Sequence, residues 1–194
     1  MGRLQKEGNM AKRRQESGGG DLAALVLRGA LGSLMAGHGS QKGFGWFKGP
    51  GPEGTRGFME MLGLKPGRPW ANLAIASELG GGSLTALGLL NPLGPVGIIG
   101  SMGMAWKTAH ADKPIWVTEG GAELPLTNIA AALSLMISGP GKYSLDRALG
   151  IRLPRWVGPL GLAAVLLTVL YASNINEEAP DEDEAREELA GEED

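Results

Sequence analysis

Four residues in this sequence have side chains suited to proton or ligand chemistry and lie within or beside strongly apolar runs: Arg28, His38, Lys42 and Glu78. His38 stands four places before Lys42, so a helix running past Gly39 would put both on one face. An imidazole titrates close to neutral pH, which suits a proton relay or a partner for a ligand oxygen. The plainer role is a histidine capping the last carbonyls of a helix, beside a lysine reaching toward headgroups. Arg28 and Glu78 each lie about seven residues into an apolar run. A charge at the centre of a membrane helix costs about 2.5–3.5 kcal/mol on insertion scales. A buried charge seeks a partner, so the sequence predicts an Arg28–Glu78 ion pair across adjacent helices. Trp46, just beyond Lys42, and Glu123, in a later glycine-rich loop, complete the candidate binding set. His110, Asp112, Glu119 and Glu123 cluster in one loop, but the chain has 2 histidines and no HxxxH or ExxH spacing. No metal site is expected.

These residues need an apolar frame, and the composition hides it. The chain is 43% hydrophobic and 20% charged, with a net charge of −3. Its charges, however, are segregated. The acidic residues concentrate in 177–194 and a basic group (Lys12, Arg13, Arg14) lies near the start. Between them run five blocks with few charges: 22–37, 71–90, 92–106, 124–139 and 156–173. A spanning helix needs about 20 residues, so several blocks must recruit their flanks. Five such blocks favour a membrane bundle over a soluble one. The basic start followed by an apolar run resembles a secretory signal. No cleavage site follows cleanly, so this block is expected to be retained as a helix.

Residues 1–20 read as a polar, basic tail, with Asp21 as the N-cap of a first helix running to about Gly39. Residues 40–70 form a connection that contains a short amphipathic helix at 54–62. Asn91-Pro92 makes a tight turn between the second and third helices. Gly94, Gly97, Gly100 and Gly103 give the third helix a shallow packing face, with Gly80, Gly81 and Gly82 as its counterpart. Trp46, Trp70, Trp106, Trp116 and Trp156 fall near block ends, as an interfacial belt would. With the N-terminus inside, Lys and Arg divide almost evenly between the two sides, with a slight lean toward that orientation. Residues 177–194 read as a disordered acidic tail. The absence of cysteine excludes disulfides and thiolate-ligated metals. No P-loop or dinucleotide fingerprint follows a predicted strand, and the scattered basic residues argue against nucleic-acid binding.

The ordered runs LRGALGSLMAGHGSQKGFGWF, EGTRGFMEMLGL, SELGGGSLTALGLL, GGAELPLTNIAAAL and GPGKYSLDRAL resemble the DoxX family of small membrane proteins. The resemblance covers 22–149 and carries over Arg28, His38, Gly39, Lys42, Gly54, Thr55, Glu78, Gly81, Gly121, Glu123, Pro125, Ser144 and Asp146. Leu124 departs from the aromatic residue the family often places before the proline of Gly-Gly-x-Glu-x-Pro. The family is related to subunits of thiosulfate:quinone oxidoreductase, and other members are linked to oxidant resistance. The resemblance therefore implies an all-α, polytopic four-helix membrane bundle over 21–149; outside it, the apolar run at 156–173 is expected to add a fifth transmembrane helix over 150–176. It implies a multi-pass protein of the plasma membrane, in contact with the lipid bilayer and open to homo-oligomerisation.

The function that follows is a quinone-interacting component of a quinone-linked oxidoreductase. His38, Lys42, Glu78 and Arg28 are its candidate catalytic residues, and His38, Lys42, Trp46, Glu78 and Glu123 would hold the quinone. No motif for a covalent flavin, haem or iron–sulfur cluster is present. Electrons are therefore expected from a second subunit or directly from a sulfur substrate. The alternative is a non-catalytic scaffold that anchors a soluble oxidoreductase partner.

Overall fold

The structure, a computed structural model, describes the backbone of residues 2–177 and the side chains of 19–175. Every regular element among the described residues is helical. Helix α1 (Gly2–Phe44) is followed by a short 3₁₀ turn at Trp46–Lys48, then α2 (Gly51–Met61) and α3 (Gly67–Ile75). A π-helical turn at Ala76–Gly80 joins α3 to α4 (Gly81–Leu87) without a break. Helix α5 (Leu93–Ala105) likewise runs on into a π turn at Trp106–His110. Then come a 3₁₀ turn at Val117–Glu119, α6 (Glu123–Ser138), the short α7 (Leu145–Leu149) and α8 (Val157–Glu177).

Two helical stretches, Gly19–Phe44 and Val157–Ile175, are long and apolar enough to cross a membrane, and Glu123–Ser138 is a shorter apolar helix. The expected start and end of the first helix both shift. It continues through Gly39 to Phe44 and is already helical well before Asp21. Asp21 is therefore not an N-cap; its carboxylate accepts from Lys142 N at 2.9 Å and lies 3.6 Å from Lys142 Nζ. The expected amphipathic helix at 54–62 is present as α2. Apart from Glu177, the acidic segment expected at 177–194 lies outside the described residues.

Glycine explains how α1 and α4 meet. A Cβ placed on Gly82 would lie 2.8 Å from the carbonyl oxygen of Gly32 and 2.9 Å from the carbonyl carbon of Met35. Gly39 is pressed in the same way against the backbone of Leu79. Intrinsic propensity disfavours glycine inside a helix, but close backbone approach reverses that preference where helices pack on small residues. The glycine row of α5 divides its contacts. Gly94 and Gly97 meet Gly81 and its surroundings, whereas Gly100 and Gly103 receive Val165 and Val169 of α8. Gly80 faces open space and is not part of the expected counterpart surface. The core between these helices is built from Leu31, Met35, Ile98, Ile99, Ala132 and Leu135.

Two substitutions separate packing from propensity. Gly82→Ala is expected to destabilise the protein, because the added methyl meets α1 backbone that cannot swing aside. Gly80→Ala is expected to be neutral or to stabilise by about 0.5–1 kcal/mol, the ordinary gain from replacing a helical glycine. Thermal unfolding of both variants in one detergent checks the ranking.

Candidate functional site

Helix α1 carries one polar centre near each end of its apolar stretch. Arg28 and Lys42 are separated by fourteen residues, about 21 Å of helix rise.

At the first centre Arg28 is almost fully buried, at 3% exposure. Its guanidinium donates to the carbonyl of Ala86 and, at 2.7 Å, to the carbonyl of Tyr143. Ala86 lies in the last turn of α4, where carbonyls lack helical partners and a cation is favoured by the helix dipole. Gly88 ends that helix with a left-handed φ of 62° and leaves room for Arg28 and Ser144. Asp146 fastens the same corner. Its two carboxylate oxygens accept from Leu90 N (2.7 Å) and Asn91 N (2.9 Å), and its own N–H donates to Gly88 O (3.0 Å). Ser144 caps α7 by accepting from Arg147 N. The GPGKYSLDRAL run thus ties the turn at 88–91 to α1.

At the second centre Lys42 forms an ion pair with Glu78. The expected Arg28–Glu78 pair is not formed; each residue has a different partner because the two sit at opposite ends of the α1–α4 contact. Glu78 is 3% exposed and belongs to the π turn between α3 and α4. Its Oε2 has no donor among the described residues. Thr55, 1% exposed, secures α2 over this end by donating to Gly51 O at 2.7 Å and lying 3.3 Å from Lys42 O.

Lys42 and Glu78 line a cavity of about 410 Å³, within the size range of small-molecule sites. The remaining wall is mostly apolar: Met59 on α2, Leu64 just after it, Trp70 on α3, Gly100 and Met104 on α5, and Val165 on α8. Ser77, Thr108 and His110 add polar atoms. Both π turns therefore contribute polar residues to this one cavity, a known association of such turns with functional positions. Trp70 also stacks on Tyr171 of α8, with ring centroids 6.2 Å apart.

The other candidates lie elsewhere. His38 is exposed and its Nδ1 pairs with Gln41 Oε1 at 3.1 Å, although it does share α1 with Lys42. It does not line the cavity. Trp46 is exposed among Phe44 and Phe47, with centroids at 5.1 and 6.5 Å. Glu123 accepts from Val117 N at 3.0 Å and closes its own loop. Among the described residues no cluster of three His, Asp or Glu could hold a metal ion. The residue that the sequence reading undervalued is His110, considered there only as a metal ligand. Its ring Nδ1 donates to Gly120 O at 2.5 Å, joining the end of the α5 π turn to the Gly-Gly-x-Glu-x-Pro loop.

The DoxX family model matches residues 23–111. That segment holds Arg28, Lys42, Glu78 and His110, and over it the chain is similar to the DoxX family. An uncharacterized protein of Haemophilus influenzae (strain ATCC 51907 / DSM 11121 / KW20 / Rd) is 33% identical over 75 residues, covering 39% of this chain. The aligned part spans half (50%) of that relative's length. No solved structure gives a significant match. The DoxX family is membrane-associated, and the two long apolar helices are in keeping with that.

Removing the Arg28 guanidinium in Arg28→Met leaves Ala86 O and Tyr143 O without that donor, and each buried unsatisfied group costs about 1–3 kcal/mol. Equilibrium unfolding in mixed detergent should show a loss of about 2 kcal/mol or more. His38→Ala, at an exposed position, should change stability by no more than about 0.5 kcal/mol.

Proposed function

We propose that this chain is a multi-pass protein of the cell membrane that holds a quinone headgroup in the cavity beside Lys42 and Glu78, as part of a quinone-linked oxidoreductase system. The observation that carries the reading is the Lys42–Glu78 ion pair at the wall of an otherwise apolar cavity. A quinone ring needs an apolar slot with polar groups at its oxygens, and the residues present fit that need. The link to quinones itself comes from the family.

Five spans are consistent with the helix lengths. The continuous α3–α4 helix, residues 67–87, rises about 31 Å, close to the roughly 30 Å hydrocarbon core. Residues 93–110 rise about 27 Å and α6 about 24 Å, lengths that membranes accommodate by thinning and helix tilt. Together with α1 and α8 these give four bundle helices and a fifth.

A bound quinone would supply a two-electron, two-proton couple; the chain's own residues would bind and orient it. The Lys42 ammonium has three donor hydrogens and its bond to Glu78 uses one, leaving others for a ring oxygen. Burial of Glu78, with Lys42 half-buried beside it, strengthens the pair's field on any group brought against it. Trp70 offers an apolar aromatic surface on the cavity wall. The hydrogen bond to Gly120 O fixes the His110 ring, so a neutral imidazole presents Nε2 as an acceptor. His110 thereby takes the proton-handling position that the sequence assigned to His38.

Mass-spectrometric counting of quinone that co-purifies with the detergent-extracted protein tests this reading. Near-stoichiometric quinone is expected in the wild type and less than about a tenth of that in Ala105→Phe, which fills the cavity from α5. Quinone at membrane background in both proteins would overturn the reading in favour of a scaffold that anchors a soluble partner.

A further inference from the structure

The cavity's polar atoms are unevenly divided between donors and acceptors. Thr108 Oγ1 donates its proton to Met104 O at 2.9 Å, and Ser101 Oγ to Ile98 O at 3.1 Å. Each hydroxyl therefore faces the cavity with lone pairs to offer. His110, with Nδ1 committed to Gly120 O, adds an acceptor at Nε2 in its neutral form. Glu78 adds a carboxylate of which one oxygen is engaged by Lys42, while the other, buried, has no donor among the described residues. Against these acceptors stand the remaining Lys42 hydrogens, the Ser77 hydroxyl and the indole N–H of Trp70.

We infer that the cavity holds the hydroxyl form of its ligand in preference to the carbonyl form, which for a quinone couple means the quinol over the quinone. This rests on the reading of the cavity as a quinone site. A carbonyl oxygen accepts only. It satisfies Lys42 but brings nothing to Glu78 or His110. A hydroxyl at the same place accepts from Lys42 and donates to the carboxylate, and a second ring hydroxyl has His110 or Thr108 as a further acceptor. Leaving a buried acceptor unsatisfied carries a penalty that corresponds to about tenfold in affinity or more. The apolar wall contributes equally to both forms, so the preference is set by the polar atoms.

The test is a pair of anaerobic titrations on the purified full-length chain in detergent. One uses a short-chain benzoquinol kept reduced, the other the matching benzoquinone, both read by calorimetry. The quinol is expected to bind about tenfold more tightly to the wild type. In Glu78→Gln, where the amide offers a donor as well as an acceptor, the two affinities are expected to converge to within about threefold. Equal affinities in the wild type, or tighter quinone, would overturn this inference and leave the quinone-site reading standing. A preference that survives unchanged in Glu78→Gln would overturn it too, by removing the carboxylate from its cause. Binding of neither molecule, or binding undiminished in Ala105→Phe, would overturn both. The wild-type comparison decides the matter even if Glu78→Gln fails to fold.

Discussion

Backbone contact between α1 and α4 is the constraint on which the rest of the molecule depends. Gly32 and Gly82 leave no room for a side chain between the two helices, and Gly39 lies directly on Leu79. Leu79 is the residue after Glu78, and Lys42 follows Gly39 by three positions on the same helix. The contact that removes side chains from the crossing therefore also delivers the ammonium to the carboxylate. Burying such a pair is unfavourable unless its geometry is close and fixed. Glycine supplies that closeness, because any larger residue at 39 or 82 would separate the helices before the two charges met.

The two polar centres on α1 differ in how many partners they engage and in the space beside them. Arg28 engages two carbonyls from different segments, and Asp146 commits both carboxylate oxygens to the N–H groups of one turn. This corner is a brace: its groups close helix ends and connect loops. At the Lys42 end a buried carboxylate oxygen has no donor among the described residues, and the ammonium keeps donors in reserve beside a cavity of about 410 Å³. Both centres draw on the same kinds of residue, a cation on α1 and an acidic partner elsewhere. Arg28 Nε and Thr85 Oγ1 also have no partner among the described residues, but the space beside them is only about 10 Å³, against about 410 Å³ beside Lys42 and Glu78.

Helix content and the positions of α2, α5, α6 and α8 could be read from hydropathy, because each is an apolar or amphipathic run bounded by glycine, proline or charge. The likeness to the family could be read from ordered motifs within 23–111, among them EGTRGF at the start of α2. Ion-pair partners could not. Arg28 and Glu78 look equally deep by residue count, but α1 and α4 run antiparallel, so equal depth from the start of each helix puts them at opposite ends. The choice between His38 and His110 was hidden for a related reason. His38 shares a helix with Lys42 yet points away from the cavity, while His110 is brought in by a π turn. A π turn shifts the helical face by one residue and leaves no periodic signal in the sequence. The end of α1 was misjudged because glycine at 37, 39 and 43 reads as a stop locally, whereas packing against the π turn carries the helix through to Phe44.

The cavity is assembled from two parts of the chain with different standing. Apart from Thr168, its polar residues, Lys42, Ser77, Glu78, Ser101, Thr108 and His110, fall within 23–111, the segment matched by the family. One largely apolar wall, with Val165 and Val169, comes from α8, outside that segment. Gly100 and Gly103 make the shallow seat against which Val165 and Val169 rest, and Trp70 meets Tyr171 at the side. The polar group of a ligand would thus be read by the family segment, and the width available to its apolar body would be set by α8. A chain with the same motifs but a different final helix would keep the ion pair and change the shape of what fits beside it.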